Sequence, residues 1–344
     1  MKILVGILIF VLTITSIASE SVINGELANE RYNCTWDKRL ICENILAYLV
    51  DDKSTIIDSE DFEMTVDRNE YVEGFYFSQC TMENYHICAF QKNHKIKFLP
   101  IKISDKFPNF VVIFAEVKSF LKIRKDSFQN LNKLRKLALA KNNIETIETG
   151  SFDDLVELKT LTLSQNKIKN ADENIFKNLV NLEESSIDNN EISVLNPKLF
   201  ENLRKLKELD ISANKLDSIH ENLFKNLVNL ETLEIQNCDL RSLPETIFEN
   251  LPELKTLTAS KNQLKTLPEN LFKNNQNFIS LDFSRNKIQK LSYKTFENLP
   301  NIKYIALKGN ECINADFGQW FKAELINDYQ KNQLKNELNE KCSS

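Results

Sequence analysis

From Phe110 onward, apolar residues return every 24 positions without insertion or deletion. The first column is Phe110, Leu134, Leu158, Leu182, Leu206, Leu230, Leu254, Phe278 and Ile302. Three positions later stand Ile113, Leu137, Leu161, Ser185, Leu209, Leu233, Leu257, Leu281 and Ile305, and two further on Ala115, Leu139, Leu163, Ile187, Ile211, Ile235, Ala259, Phe283 and Leu307. The alternation across the last two columns predicts a short strand in every unit, with its leucines inward and the residues between them outward. A polar column follows in Lys118, Asn142, Asn166, Asn190, Asn214, Cys238, Asn262, Asn286 and Asn310. The back half of each unit carries an unbroken phenylalanine column, Phe128, Phe152, Phe176, Phe200, Phe224, Phe248, Phe272 and Phe296. One such unit cannot bury its apolar side alone, so the pattern predicts stacked units whose strands pair into one curved parallel sheet.

Written out, the unit is L-x-x-L-x-L-x-x-N/C-x-L, and on these columns the chain resembles the leucine-rich repeats of extracellular proteins in their 24-residue form. The resemblance implies an α/β repeat solenoid, a horseshoe with a parallel β-sheet on its concave face and a cap at either end. The asparagine column falls where the chain leaves the strand, and its amides are expected to satisfy buried turn backbone rather than a ligand. Ser185, at an inward leucine position, and Lys118, at the first ladder position, depart from the pattern. Cys238 occupies the ladder position that the repeat opens to cysteine, and it reads as a buried thiol behaving as a small apolar group. A bridge from it to another chain is the alternative.

The ends are read separately. Lys2, an uncharged apolar run from Ile3 to Ile14 and a small-residue stretch ending at Ala18 have the three-part form of a secretory signal peptide. The run is shorter than the roughly 20 residues a bilayer span needs. The chain is thus expected to divide into a signal peptide at 1–18, an N-terminal cap at 19–95, the repeats at 96–312 with nine strand registers starting at 110, and a C-terminal cap at 313–344. Secretion places the cysteines in a disulfide-permitting space. Cys34, Cys42, Cys80 and Cys88 fall in the N-terminal cap, where four cysteines allow three pairings; Cys34 with Cys42 and Cys80 with Cys88 are preferred. This cap resembles the longer cap of secreted insect leucine-rich-repeat proteins. At the other end Phe317, Trp320, Phe321 and Leu325 recur at helical spacing, predicting a helix that continues to about Leu338 and is held across the open core by a Cys312 to Cys342 bridge; pairing of this stretch with a partner is the alternative. The sequon Asn33-Cys34-Thr35 marks Asn33 as a glycosylation candidate.

Composition removes several function classes. The chain holds 6 Gly and 3 His, leaving few residues for phosphate loops or paired imidazole ligands. No nucleophile elbow or Gly-rich loop occurs, and nearly every recurrent residue is accounted for by stacking, so no catalytic centre, metal or cofactor is expected. Cys80, His86, Cys88 and His94 lack the close C-x-x-C pair of a zinc ribbon and read as cap residues. A formal charge of -5 opposes a nucleic-acid binder that works by counterion release.

Function then falls to the outward strand positions. Glu184, Asp188, Glu208, Asp210 and Glu234 occupy adjacent strands about 4.8 Å apart and form an acidic centre. This face is expected to meet a basic segment of another protein, with charge complementarity raising the encounter rate and rejecting acidic competitors. A microbial surface is a further candidate partner. By resemblance to insect immune repeat proteins and Toll-like receptor ectodomains, the role is recognition in innate immunity. The alternative, by resemblance to small leucine-rich proteoglycans, is an extracellular matrix or developmental protein acting in adhesion or ligand sequestration.

Overall fold

The computed structural model describes residues 110–115, 120–319 and 324–342, preceded by the backbone of short strands between 22 and 89. Nine short strands at the same phase, from Phe110–Phe114 to Tyr304–Ala306, pair in parallel and in chain order. The register steps by one repeat throughout, Leu137 against Leu161, Leu209 against Leu233 and Leu257 against Leu281. All nine registers expected from the sequence are present.

Each strand buries its central residue and turns its neighbours outward, as in Glu208–Asp210, where Leu209 is fully buried. Behind the sheet the phenylalanine column is buried throughout, with ring contacts running from Phe128 to Phe200 and again from Phe248 to Phe296. Rings of Phe128, Phe152, Phe176 and Phe200 follow one another at 5.8, 6.4 and 6.2 Å between centroids. Offset-stacked rings at these distances add cohesion beyond the area they bury.

The asparagine ladder closes the polar accounts of the turns. Asn190 donates through Nδ2 to the carbonyls of Leu163 and Ile187 at 3.0 Å and of Asp188 at 3.1 Å, while its Oδ1 accepts from the Ile168 N–H at 3.0 Å. The residue before each ladder position has positive φ, from Lys141 at 55° through Ala213 at 51° to Arg285 at 55°. Such backbone is strained for residues with a Cβ, and it persists because the ladder holds the chain on both sides. Ser185 lies buried between Leu161 and Leu209 with no partner for its hydroxyl.

Two strands extend the sheet beyond the nine. His86–Ala89 pairs in parallel with Phe110–Phe114, with His86 opposite Phe110 one period on and a register shift after it. Asp316–Gly318 pairs antiparallel with Tyr304–Ala306. The second corrects the sequence expectation, because Phe317 lies in a strand, buried, and not on a helix. The reason is local: Gly318 turns the chain at φ 81° and lets it pass against the Lys303 carbonyl. Trp320 and Phe321 lie outside the described residues.

The helix begins later, as α1 (Asp328–Lys341), capped reciprocally by Asn327 and Gln330. It packs Leu334 and Leu338 against the last repeats, and the bond from Cys312 to Cys342 pins its end. In the N-terminal segment the backbone places Cys34 opposite Cys42. The bonding of the cysteines there, the Asn33 side chain and the 1–18 leader lie outside what is described. No helix among the described residues is long and apolar enough to cross a membrane.

Candidate functional site on the concave face

Period-two alternation projects three outward columns from the sheet, and strand pairing sets their neighbours. Glu184 stands opposite Glu208, and Asp210 stands between Ser186 and Glu234. Asp188 follows two residues beyond Ser186 on the same run. Four of the five acids singled out from sequence thus lie on three adjacent strands, Glu184–Ser186, Glu208–Asp210 and Thr232–Glu234, and Asp188 lies just past the first of them. Between Lys136 and Lys308 the outward columns contain no Lys or Arg.

Their neighbours are hydroxyls and amides. Asp188 accepts from Ser186 and from Asn189, and Ser186 in turn bonds Ser164. Asp210 accepts through Oδ1 from the Ser212 N–H at 2.9 Å and from its hydroxyl. Glu234 accepts from Gln236 at 2.9 Å. The carboxylates are held in place without being neutralised.

Burial and mutual repulsion raise the proton affinity of two of them, Asp210 and Glu208. Asp210 is pushed up to about 6, chiefly by burial, with Asp188 and Glu234 adding to the rise and the Ser212 bonds opposing it. Glu208 moves in the same direction, through burial and then the charge of Glu184. The negative charge of the patch therefore grows as pH rises through about 6. At the N-terminal margin burial draws the Lys136 ammonium down, opposed by Glu184.

Elsewhere charge cancels between repeats. Just before the strands run Lys159, Glu183, Lys207, Glu231 and Lys255, with Glu183 bonded to Lys207 at 2.8 Å and to Lys159 at 3.0 Å. These bonds, Lys207 first, draw the Glu183 carboxyl down to about 2. One residue after each spine phenylalanine from Phe152 onward the sign alternates again, through Asp153, Lys177, Glu201, Lys225, Glu249, Lys273 and Glu297. After the ladder, Lys215 bonds Glu191 at 3.2 Å. Exposed pairs of this kind contribute little stability, but they leave the margins and back locally neutral. The sequence reading missed this alternation because the charge period is two repeats while the apolar period is one.

Family models place the repeats independently. A BspA type leucine rich repeat region matches in six copies over residues 193–317, and a leucine rich repeat model matches 118–168 and 156–216. No curated protein matches the sequence significantly. Among solved structures, a chain of the TLR13–ssRNA13 complex superposes with a TM-score of 0.61 at 23% identity, covering 64% of this chain and 32% of that one. A chain of the Toll–Spatzle complex, described as a molecular hub in Drosophila development and innate immunity, gives 0.53 at 22%, covering 63% and 32%. A repeat protein of Leptospira interrogans gives 0.55 at 22%, covering 69% and 54%. The chain thus spans about a third of the length of the first two and about half of the third. At these identities the likeness is one of fold.

Proposed function

Because the chain belongs to the leucine-rich-repeat proteins, we propose that it is a secreted, non-catalytic binding module whose concave face holds a basic segment of another protein. The observation that carries this reading is the contrast in charge. On the margins and back Lys and Glu alternate from repeat to repeat, whereas Glu184, Asp188, Glu208, Asp210 and Glu234 face the concave side with no cation between them. A cationic segment laid across three strands supplies the missing counter-charge and is drawn in by the field of the patch. The same field repels an anionic polymer.

The test uses immobilised peptides of oligo-lysine, oligo-glutamate and neutral Gly-Ser. Wild-type protein is expected to be retained on oligo-lysine alone, and Glu208→Lys with Asp210→Lys is expected to weaken retention at least about tenfold, as for removal of close interfacial charge pairs. Equal retention of the variant rules the patch out. The biological setting is the narrower part of the reading. Free protein rising in body fluid on microbial challenge is the outcome expected of an innate-immune role, and retention in insoluble matrix replaces it with the adhesive one.

A further inference from the structure

The asparagine ladder has one altered rung. At the other positions from Asn142 to Asn310, the ladder Oδ1 accepts the N–H of the apolar residue 22 positions earlier: Ile192 bonds Asn214 at 3.0 Å and Leu264 bonds Asn286 at 3.2 Å. Leu216 should bond position 238, but cysteine offers no such oxygen, and the buried Leu216 N–H has no partner among the described residues. Its carbonyl has no donor among the described residues either. Elsewhere that carbonyl accepts from the residue after the ladder position, as Ile192 does from Lys215 and Leu240 from Gln263, both at 2.8 Å.

The residue after Cys238 has moved away. Asp239 stands at φ 62°, the sole residue at its place in the repeat with positive φ among those described. The Cys238 N–H bonds Asn262 Oδ1 at 2.9 Å, and Arg241 reaches the Asp217 carbonyl at 3.2 Å. The thiol makes long contacts of 3.4 Å to the Ile211 carbonyl and 3.5 Å to that of Gln236. Three features therefore coincide between the repeats that begin at Leu206 and Leu230: two backbone groups without partners among the described residues, a strained turn and a weak donor in place of an amide.

We propose that this junction is a built-in seam, where the solenoid opens locally before any other junction between its repeats. Cooperative units in a repeat array are joined by neighbour interfaces, so the weakest interface opens first. The seam runs between strands Glu208–Asp210 and Thr232–Glu234, so it divides the acidic face, with Glu234 on one side and Glu184, Asp188, Glu208 and Asp210 on the other. Opening also exposes Cys238, which is otherwise fully buried and whose thiol is held protonated by burial.

Hydrogen exchange at single-amide resolution on the full chain tests the seam. The Leu216 amide is expected to exchange at least about tenfold faster than those of Ile192 and Leu264. Cys238→Asn, which restores the acceptor, slows it to the Ile192 rate, while Cys238→Ala leaves it fast. Iodoacetamide labelling, located on Cys238 by mass spectrometry without prior reduction, proceeds in proportion to the population of the open seam. A Leu216 amide as slow as that of Ile192 in the native protein overturns the proposal, as does a folded Cys238→Asn variant in which it stays fast. If Cys238→Asn does not fold, the native comparison and Cys238→Ala decide.

Discussion

Replacing Gly318 with alanine is expected to destabilise the protein by about 3 kcal/mol or more, far beyond an ordinary surface change. A Cβ built there lies 1.9 Å from the Lys303 carbonyl oxygen, 2.9 Å from its carbon and 3.1 Å from Ile326 Cγ1. The first two atoms are backbone and cannot rotate away. The residue also sits at φ 81°, where a side chain is strained whatever the space. To accept the methyl, the strand Asp316–Gly318 must leave Tyr304–Ala306. That removes the Leu307 and Lys308 N–H bonds to Asp316 and uncovers the apolar end of the last repeat. Chemical denaturation with limited proteolysis reads both effects, the loss of stability and new cleavage between 316 and 326. Stability within about 0.5 kcal/mol of wild type would show that the segment does not take this path.

Asn190→Ala is the second large effect, about 3 kcal/mol of lost stability. The substitution removes three donations and one acceptance inside a buried turn. The losses are unequal. Leu163 keeps a donor in Asn166, Ile187 keeps one in Asn214, and Asp188 keeps the Gln165 N–H, so the carbonyls remain partly satisfied. The Ile168 N–H keeps nothing, and an orphaned buried donor costs its full desolvation penalty. Asn189, with φ 52°, also loses the clamp that holds its strained backbone. Denaturant unfolding of the single variant measures the sum. A change under about 0.5 kcal/mol would mean that the ladder is ornamental and that packing alone sets the turns.

The repeats were legible because each column does one job at one spacing. Inward leucines, the phenylalanine spine and the ladder asparagines each meet a burial or hydrogen-bond demand that recurs every 24 residues, so nine registers averaged out exceptions such as Ser185. Single events have no such averaging. Phe317 and Leu325 imitate a helix by spacing, yet Phe317 lies in a strand that Gly318 turns through one close backbone approach. The helix itself announced its start through Asn327 and Gln330, a reciprocal cap that the apolar spacing drew attention away from.

The acids of the concave face were legible by position, since alternation along a strand decides which residues point outward. Their environment was not. Asp210 lies between Ser186 and Glu234 of the two neighbouring strands, with Ser212 bonded to it from its own repeat, and its high proton affinity is a product of that assembly. Cys238 was legible as a ladder residue but not as a missing acceptor, because the cost falls on Leu216, 22 residues away.

The central claim, that a cationic segment rests on the acidic centre of the concave face, is tested most directly by titrating Asp210 by carbon-detected NMR, free and saturated with an oligo-lysine peptide. In the free protein the carboxyl is expected to titrate at about 6, since its neighbours are carboxylates and hydroxyls and no cation. A bound ammonium within about 4–6 Å favours the charged form and lowers that value by a unit or more. By linkage, the peptide then binds more tightly as pH rises through 6. Saturation with the peptide while Asp210 still titrates at its free value would place the ligand elsewhere and contradict the account.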